Sequence, residues 1–253
     1  MRERGVAAEQ TRDTLFGGRV TLHQPARGYR ANVDALLLAA FAARRVDIVR
    51  PARLAVDLGA GCGAVALALL HLGAAQRIIL VEVDRQTAAL AQTNLAANGW
   101  AARGQVLCAD VDALPAKLDA DLVVCNPPYV PEGHGRRSRD AARARARSGD
   151  LGVFVKAARR AAGRRARACF VYPAHDLAQL FTLLRAAGLE PKRARAVHAS
   201  SKVAARVILV EGRPGKPGGL EMEPPLFERD GRGYSAELRA LLDGAGHPEA
   251  PMA

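Results

Sequence analysis

The chain has 253 residues, 49% of them hydrophobic and 25% charged, which is the make-up of an ordinary globular protein with room for one substantial core. There is no run of eighteen apolar residues, Met1 to Asp13 lacks the apolar stretch of a secretory signal, and Cys62, Cys108, Cys125 and Cys169 form no Cys-x-x-Cys pair. This argues against a membrane span, a disulfide framework or a metal site, and for a reduced cytoplasm, while a formal charge of +12 points to a polyanionic partner.

The first thirteen residues read as loose. Gly17-Gly18 and Pro25 are turn signals around a short strand or hairpin in Val20 to Tyr29. Asn32 is placed to cap a helix from Val33 to about Arg45, with Asp34 in its first turn. From Leu54 the pattern becomes strand (Leu54 to Leu58), glycine turn (Gly59 to Gly63) and helix (Ala64 to Leu72). A strand from Arg77 to Val81 ends at Glu82, and a helix from Gln86 to Asn98 is closed by Gly99. Gln105 to Cys108 is a third strand, running into Ala109-Asp110, and Leu122 to Cys125 a fourth. Strands alternating with helices at this spacing predict a parallel, doubly wound α/β sheet.

Pro131 to Gly149 reads as a loop, Leu151 to Ala162 as a helix, Ala166 to Tyr172 as a fifth strand and His175 to Ala187 as a helix. Pro191 to His198 and Val203 to Glu211 follow as two long strands without a helix between them, hence an antiparallel pair. Gly212 to Gly219 reads as a linker, Ser235 as the cap of a last helix through Leu242, and the final ten residues as disordered. The expected organisation is an N-terminal hairpin-plus-helix extension (1–50), a core (51–213) carrying the basic loop 131–149, and a C-terminal linker with a short tail helix (214–253).

Two stretches carry chemistry. Asn126-Pro127-Pro128-Tyr129 ends the fourth strand abruptly, since neither proline can continue the ladder. It lies at the carboxyl end of the strand, where open α/β sheets hold ligands. The Asn126 side-chain oxygen and the Pro127 carbonyl are two acceptors suited to a planar amine such as that of adenine, and the Tyr129 ring suits stacking on the base. Upstream, Asp57-x-Gly59-x-Gly61-x-Gly63 sits where a strand gives way to a helix and its glycines allow close approach of a ligand. Gly59-x-Gly61-x-x-Ala64 also fits a dinucleotide fingerprint, and glycine spacing alone does not separate the two. Asp57 at the strand end suits a methionine ammonium, Asp110 an adenine amine, and Glu82 a pair of ribose hydroxyls in either reading.

With these residues in view, the chain resembles a class I S-adenosylmethionine-dependent methyltransferase of the Asn-Pro-Pro-Tyr type, and within that set the tRNA-valine adenine-37 N6-methyltransferase family. The resemblance rests on Gln24-Pro-x-x-Gly28-Tyr29-Arg30, Asp34-Ala-Leu-Leu-Leu38, Val56-Asp-Leu-Gly-Ala-Gly-x-Gly63, Val81-Glu-Val-Asp84, Asn126-Pro-Pro-Tyr129, Arg206-Val-Ile-Leu-Val-Glu211 and Gly233-Tyr234-Ser-Ala-Glu-Leu. It implies a Rossmann-like seven-stranded methyltransferase sheet with a terminal antiparallel pair, S-adenosylmethionine as cofactor, no metal, and a place for Asp34 at the cofactor's methionine end. The cofactor set is then Asp34, Asp57, Gly59, Gly61, Gly63, Glu82, Asp110 and Asn126, and the catalytic set Asn126, Pro127, Pro128 and Tyr129. The implied reaction is N6-methylation of an adenine in structured RNA, a tRNA, with the base flipped out and stacked on Tyr129.

Two alternatives share the fold. Glutamine N5-methyltransferases of protein release factors use the same motif behind a helical substrate domain, whereas only 56 residues precede Asp57 here. A non-catalytic RNA-binding protein would not be expected to keep Asp57, Glu82, Asp110 and Asn126 together. The basic charge clusters after the motif in Arg136, Arg137, Arg139, Arg143, Arg145 and Arg147, continues through Lys156, Arg159, Arg160, Arg164, Arg165 and Arg167, and is the expected RNA-gripping segment. Lys192, Arg193 and Arg195 are the fallback surface.

Overall fold

The computed structural model describes residues 10–26, 30–44, 51–114, 118–128 and 151–244. It opens with a hairpin, β1 (Gln10–Leu15) antiparallel to β2 (Val20–Pro25), with Leu15 opposite Val20. The expectation of a loose start to Asp13 therefore fails for β1. Its polar sequence carries no apolar alternation, and it is held instead by the ladder to β2, whose Val20 and Leu22 are buried. The turn places Phe16, Gly17 and Gly18 all at positive φ, with the Phe16 ring buried and stacked 4.5 Å from His71.

Helix α1 (Val33–Ala43) starts where expected, the Asn32 side chain accepting the Asp34 N–H at 3.0 Å. Ten of its eleven residues are buried, so it is an internal helix rather than an amphipathic cover. Next come β3 (Ala52–Leu58), α2 (Ala64–His71), β4 (Ala75–Glu82), α3 (Arg85–Ala97), β5 (Gly104–Cys108) and β6 (Ala120–Cys125). Asn94 of α3 and Asn98, the residue that caps its C-terminus, dock the hairpin. Asn98 exchanges two 2.8 Å hydrogen bonds with the backbone of Thr21. Asn94, fully buried, accepts from the His23 N–H at 2.7 Å and donates at 2.9 Å to the carbonyls of His23 and Cys62. The outer edge of β2 thus finds partners in side chains rather than in another strand.

After residue 150 the chain continues as α4 (Leu151–Ala161), β7 (Ala162–Pro173), α5 (Leu177–Ala186), β8 (Glu190–His198) and β9 (Ala205–Arg213). The seven main strands lie in the order β5-β4-β3-β6-β7-β9-β8, all parallel except β9, which runs antiparallel to both its neighbours. The expected doubly wound sheet with a closing antiparallel pair is present. Helices α1, α2 and α3 pack on one face around Leu38, Leu67 and Leu95, and α4 and α5 on the other around Phe154, Phe170 and Leu184.

The tail departs from the linker reading. β10 (Glu221–Met222) and β11 (Leu226–Phe227) add in parallel to β8, β12 (Arg229–Asp230) pairs with β13 (Gly233–Tyr234), and α6 (Ala236–Leu242) is capped by Ser235. What fastens this segment is charge. Arg193, 1% exposed, meets Glu211 and Glu223 at 2.9 Å each while its guanidinium lies 3.8 Å from the centre of the Phe41 ring. Arg195 pairs with Glu237 at 2.8 Å, and Arg206 bridges Glu228 to Asp34. Among the described residues no helix is long and apolar enough to cross a membrane.

Candidate functional site

Four neighbouring strands end level with one another. Leu58 of β3 stands opposite Val81 of β4 and Cys125 of β6, and Glu82 stands opposite Cys108 of β5. The sheet register therefore releases Gly59, Glu82, Ala109-Asp110 and Asn126 side by side at its carboxyl edge, where doubly wound sheets bind ligands.

The glycine turn is built for a visitor. Gly59, Gly61 and Gly63 have φ of 68°, 57° and 90°, a region in which a side chain is strained. A Cβ at Gly59 would stand 3.0 Å from the Phe154 ring and one at Gly63 3.0 Å from Leu80, so these two turn tightly against the core. A Cβ at Gly61 would meet nothing within 4 Å among the described residues, so that side of the turn is open to them. Burial pushes the Cys62 thiol up to about 11, so it fills space as a neutral group.

Asp57, the last residue but one of β3, is 1% exposed, and its Oδ2 has no hydrogen-bond partner among the described residues. Burial first, and then the nearby Glu82 charge, lift its pKa to about 7 against the pull of the Ala66 backbone N–H. A buried carboxylate oxygen left over at a ligand edge fits a cation supplied from outside the chain. Glu82, half-buried, accepts from the Gly61 and Asp84 N–H groups at 2.9 Å each, which ties β4 to the glycine turn. Asp110 is exposed and caps a short 3-10 turn (Val111–Ala113) through the Asp112 N–H at 2.9 Å. Asn126 is half-buried, Pro127 buried and Pro128 exposed, so the motif turns outward within three residues.

Asp34 lies fully buried at the start of α1, where it meets Arg206 at 2.5 Å and takes a 3.3 Å contact from the Asn32 amide. Arg206 is held charged by Glu228 and Asp34, which raise its pKa against the effect of burial. Asp34 is thus engaged from within the chain. Tyr129 and Arg136, Arg137, Arg139, Arg143, Arg145 and Arg147 lie outside the described residues.

The rest of the basic run splits in three, with Lys156 and Arg159 exposed on α4. Arg160 binds Asp112 at 3.1 Å and two nearby carbonyls, and Arg167 binds Glu211 and the Ala42 carbonyl, so both brace the fold. Arg164 and Arg165 are exposed but belong to the amino end of β7, opposite the edge that carries Asn126. The fallback surface fails outright. Arg193 and Arg195 are buried in ion pairs, and Lys192 donates to the carbonyls of Lys216 and Gly218. Phe154 behind Gly59 and Asn94 on the Cys62 carbonyl are supporting residues that carry no sequence motif, while Arg206 opens the Arg206-Val-Ile-Leu-Val-Glu211 motif, whose local pattern gives no hint of its pairing with Asp34. Among the described residues no group of His, Cys, Asp and Glu could hold a metal ion.

The chain matches the Methyltransferase small domain family model over residues 32–150. It is 32% identical over 200 residues to a tRNA1(Val) (adenine(37)-N6)-methyltransferase of Tolumonas auensis, spanning 77% of this chain and 82% of the relative. A second protein of that description, from Shewanella halifaxensis, is 30% identical over 196 residues, spanning 73% of this chain and 75% of the relative. In fold it is similar to a predicted O-methyltransferase from Agrobacterium tumefaciens, with a TM-score of 0.65 and 22% identity over 86% of this chain and 99% of that one.

Proposed function

The chain belongs to the tRNA1(Val) (adenine(37)-N6)-methyltransferase family, and on that premise we propose that it methylates the N6 amine of an adenine in tRNA, with tRNA1(Val) the first substrate to test. The observation that carries this reading is the register of β3 and β6. It sets the glycine turn and Asn126-Pro127 next to each other on one edge, one for a nucleoside cofactor and one for a planar amine.

S-adenosylmethionine, when bound, supplies a methyl group on a positively charged sulfur. In this reading Asp57 takes the methionine ammonium, Gly59, Gly61 and Gly63 admit the ligand close to the backbone, Glu82 takes the ribose hydroxyls and Asp110 the adenine amine. Asp34 supports this end through the α1 start. The Asn126 carboxamide oxygen and the Pro127 carbonyl each accept one N–H of the target amine, fixing its direction and localising its lone pair. Tyr129 stacks on the flipped base. Positioning of this kind supplies roughly 7–11 kcal/mol in favourable cases. The nitrogen becomes far more acidic on methylation and its proton leaves to water, so the chain needs no strong base. Arg136, Arg137, Arg139, Arg143, Arg145 and Arg147 would grip phosphates beside the site, and a tRNA substrate implies the cytoplasm.

The test is incubation of the protein with an unmodified tRNA1(Val) transcript and methyl-labelled S-adenosylmethionine, followed by nucleoside mass spectrometry. N6-methyladenosine is the expected product. A transcript that stays unlabelled refutes the proposal, and a parallel incubation with a protein release factor that gains label on glutamine would give the rival reading.

A further inference from the structure

We propose that the β12–β13 hairpin, together with the cleft beside Tyr234, is a second RNA-docking surface that holds an unpaired nucleotide flanking the methylated adenine. The inference rests on the RNA-methylation reading and adds a part of the molecule which that reading does not use.

Position comes first. β11 pairs with β8 at Val197 and His198, the carboxyl end of that strand. The hairpin that follows therefore leaves the sheet on the same edge as the glycine turn and Asn126. Its mounting is firm. The Glu228 N–H donates to the His198 carbonyl at 2.8 Å, the Arg229 N–H to Ala199 at 3.1 Å, and the Ser235 N–H returns to Glu228 at 2.9 Å. Glu228 is in turn clamped by Arg206, which holds Asp34, so the hairpin stands on the same ion pair that braces the start of α1.

The chemistry it presents is that of a stacking platform. Tyr234 is 50% exposed, and the Arg229 guanidinium lies 5.8 Å from its ring centre. Arg232 is exposed on the same hairpin, and Lys202 is exposed on the β8–β9 turn against which Arg229 lies. No ion pair engages Arg229, Arg232 or Lys202 among the described residues, and Asp230 is the opposing carboxylate of the hairpin. Tyr234 also walls a cleft of about 490 Å³, shared with Phe16, Gly17, Gly18, Asn32 and Val33. That volume falls within the roughly 300–1,000 Å³ of pockets that take small ligands, the size class of a nucleoside. The cleft reaches Ala64, the residue after the glycine turn, but takes in none of Asp57, Glu82 and Asn126, so it adjoins the expected cofactor edge without coinciding with it. The cleft lining itself holds no cation and includes Asp243, so the charge that would meet phosphates is that of Arg229 and Arg232 on the hairpin. An aromatic ring flanked by such cations suits a base with its phosphates rather than an apolar protein surface.

The test uses the full chain and the tRNA1(Val) transcript, with binding measured across a salt series and turnover measured at varied RNA. An Arg229→Gln/Arg232→Gln variant should flatten the salt slope by about two units, a little under one per phosphate contact. Tyr234→Ala should weaken RNA binding about thirtyfold, the middle of the range for one stacked base, while Tyr234→Phe keeps it. In these variants KM for RNA should rise, whereas kcat at saturating RNA and S-adenosylmethionine affinity should hold. The arginines are exposed, so their removal should not unfold the chain, and melting curves check this. Unaltered salt slope and RNA affinity in the variants, with wild type active, overturn the docking surface and leave the methylation reading standing. A wild type that methylates no RNA overturns both, and the two failures are thus told apart.

Discussion

Asp57→Asn should make the protein without cofactor more stable and yet poorer at binding S-adenosylmethionine. The folded pKa of Asp57 is about 7 against 3.8 for an ordinary aspartate, because burial disfavours its charge. Between those two pH values the folded chain holds a proton that the unfolded chain has lost. Stability should therefore fall as pH rises from about 4 to about 7 and then level off, a loss on the order of 4 kcal/mol at pH 8. The neutral isostere avoids that loss but still offers its oxygen to the Ala66 N–H, so at pH 8 it should gain about 1–3 kcal/mol, or several degrees in Tm. Cofactor affinity should run the other way. A cationic ammonium needs the ionised carboxylate, so wild-type Kd should rise about tenfold per pH unit below 7, while the variant binds weakly and without this slope. Thermal melts from pH 5 to 8.5 and calorimetric titrations over the same range measure both. A variant no more stable than wild type at pH 8, together with wild-type affinity flat from pH 5.5 to 8, refutes the assignment of Asp57 as the buried partner of a cofactor cation.

Asn126→Ala should lower kcat at least about 100-fold, or about 2.7 kcal/mol of barrier, with cofactor affinity retained. Asn126→Asp should lose less, since a carboxylate still accepts from the amine, and single-turnover assays separate the two. Gly59→Ala forces a side chain into φ of 68° and 3.0 Å from the Phe154 ring. It should lose about 1–2 kcal/mol for the backbone strain plus a steric part, and a double-mutant cycle with Phe154→Ala, which alone costs about 3–5 kcal/mol as a buried Phe, should isolate the steric part as a coupling in denaturant melts. Arg206→Ala removes the cation between the buried Asp34 and the partly buried Glu228 and should destabilise by about 3–5 kcal/mol, with the tail from Glu221 onward cut first in limited proteolysis.

The core strands were readable because a parallel strand covered on both faces must be apolar throughout, as Leu122 to Cys125 is. Asp57 stood out as an acid inside such a strand, and the glycines after it as residues needed for positive φ. Where burial is achieved by charge, hydropathy misleads. Arg193 and Arg195 read as surface cations but are buried against Glu211 and Glu223 and against the more exposed Glu237, partners that lie far from them in sequence. β1 escaped for a related reason, since its stability comes from backbone pairing to β2 and not from its own side chains. The contact of Phe154 with Gly59 joins residues far apart in sequence, which no local pattern can reveal.

Asn94 makes the N-terminal hairpin and the glycine turn a single mechanical unit. One carboxamide grips the His23 backbone on one side and the Cys62 carbonyl on the other, with no water between and no spare donor. Any displacement of the turn as a ligand enters must stretch one of these bonds or carry β2 along. The amide proton of His23, though remote from Asp57 in sequence, is thereby a reporter of turn movement, and its exchange with solvent should slow when the turn is braced. The same carboxamide explains why the first fifty residues cannot be treated as an appendage. A core trimmed to begin at Pro51 would bury an amide with two of its three partners gone, beside a stripe of apolar residues that Val20 and Leu22 no longer cover.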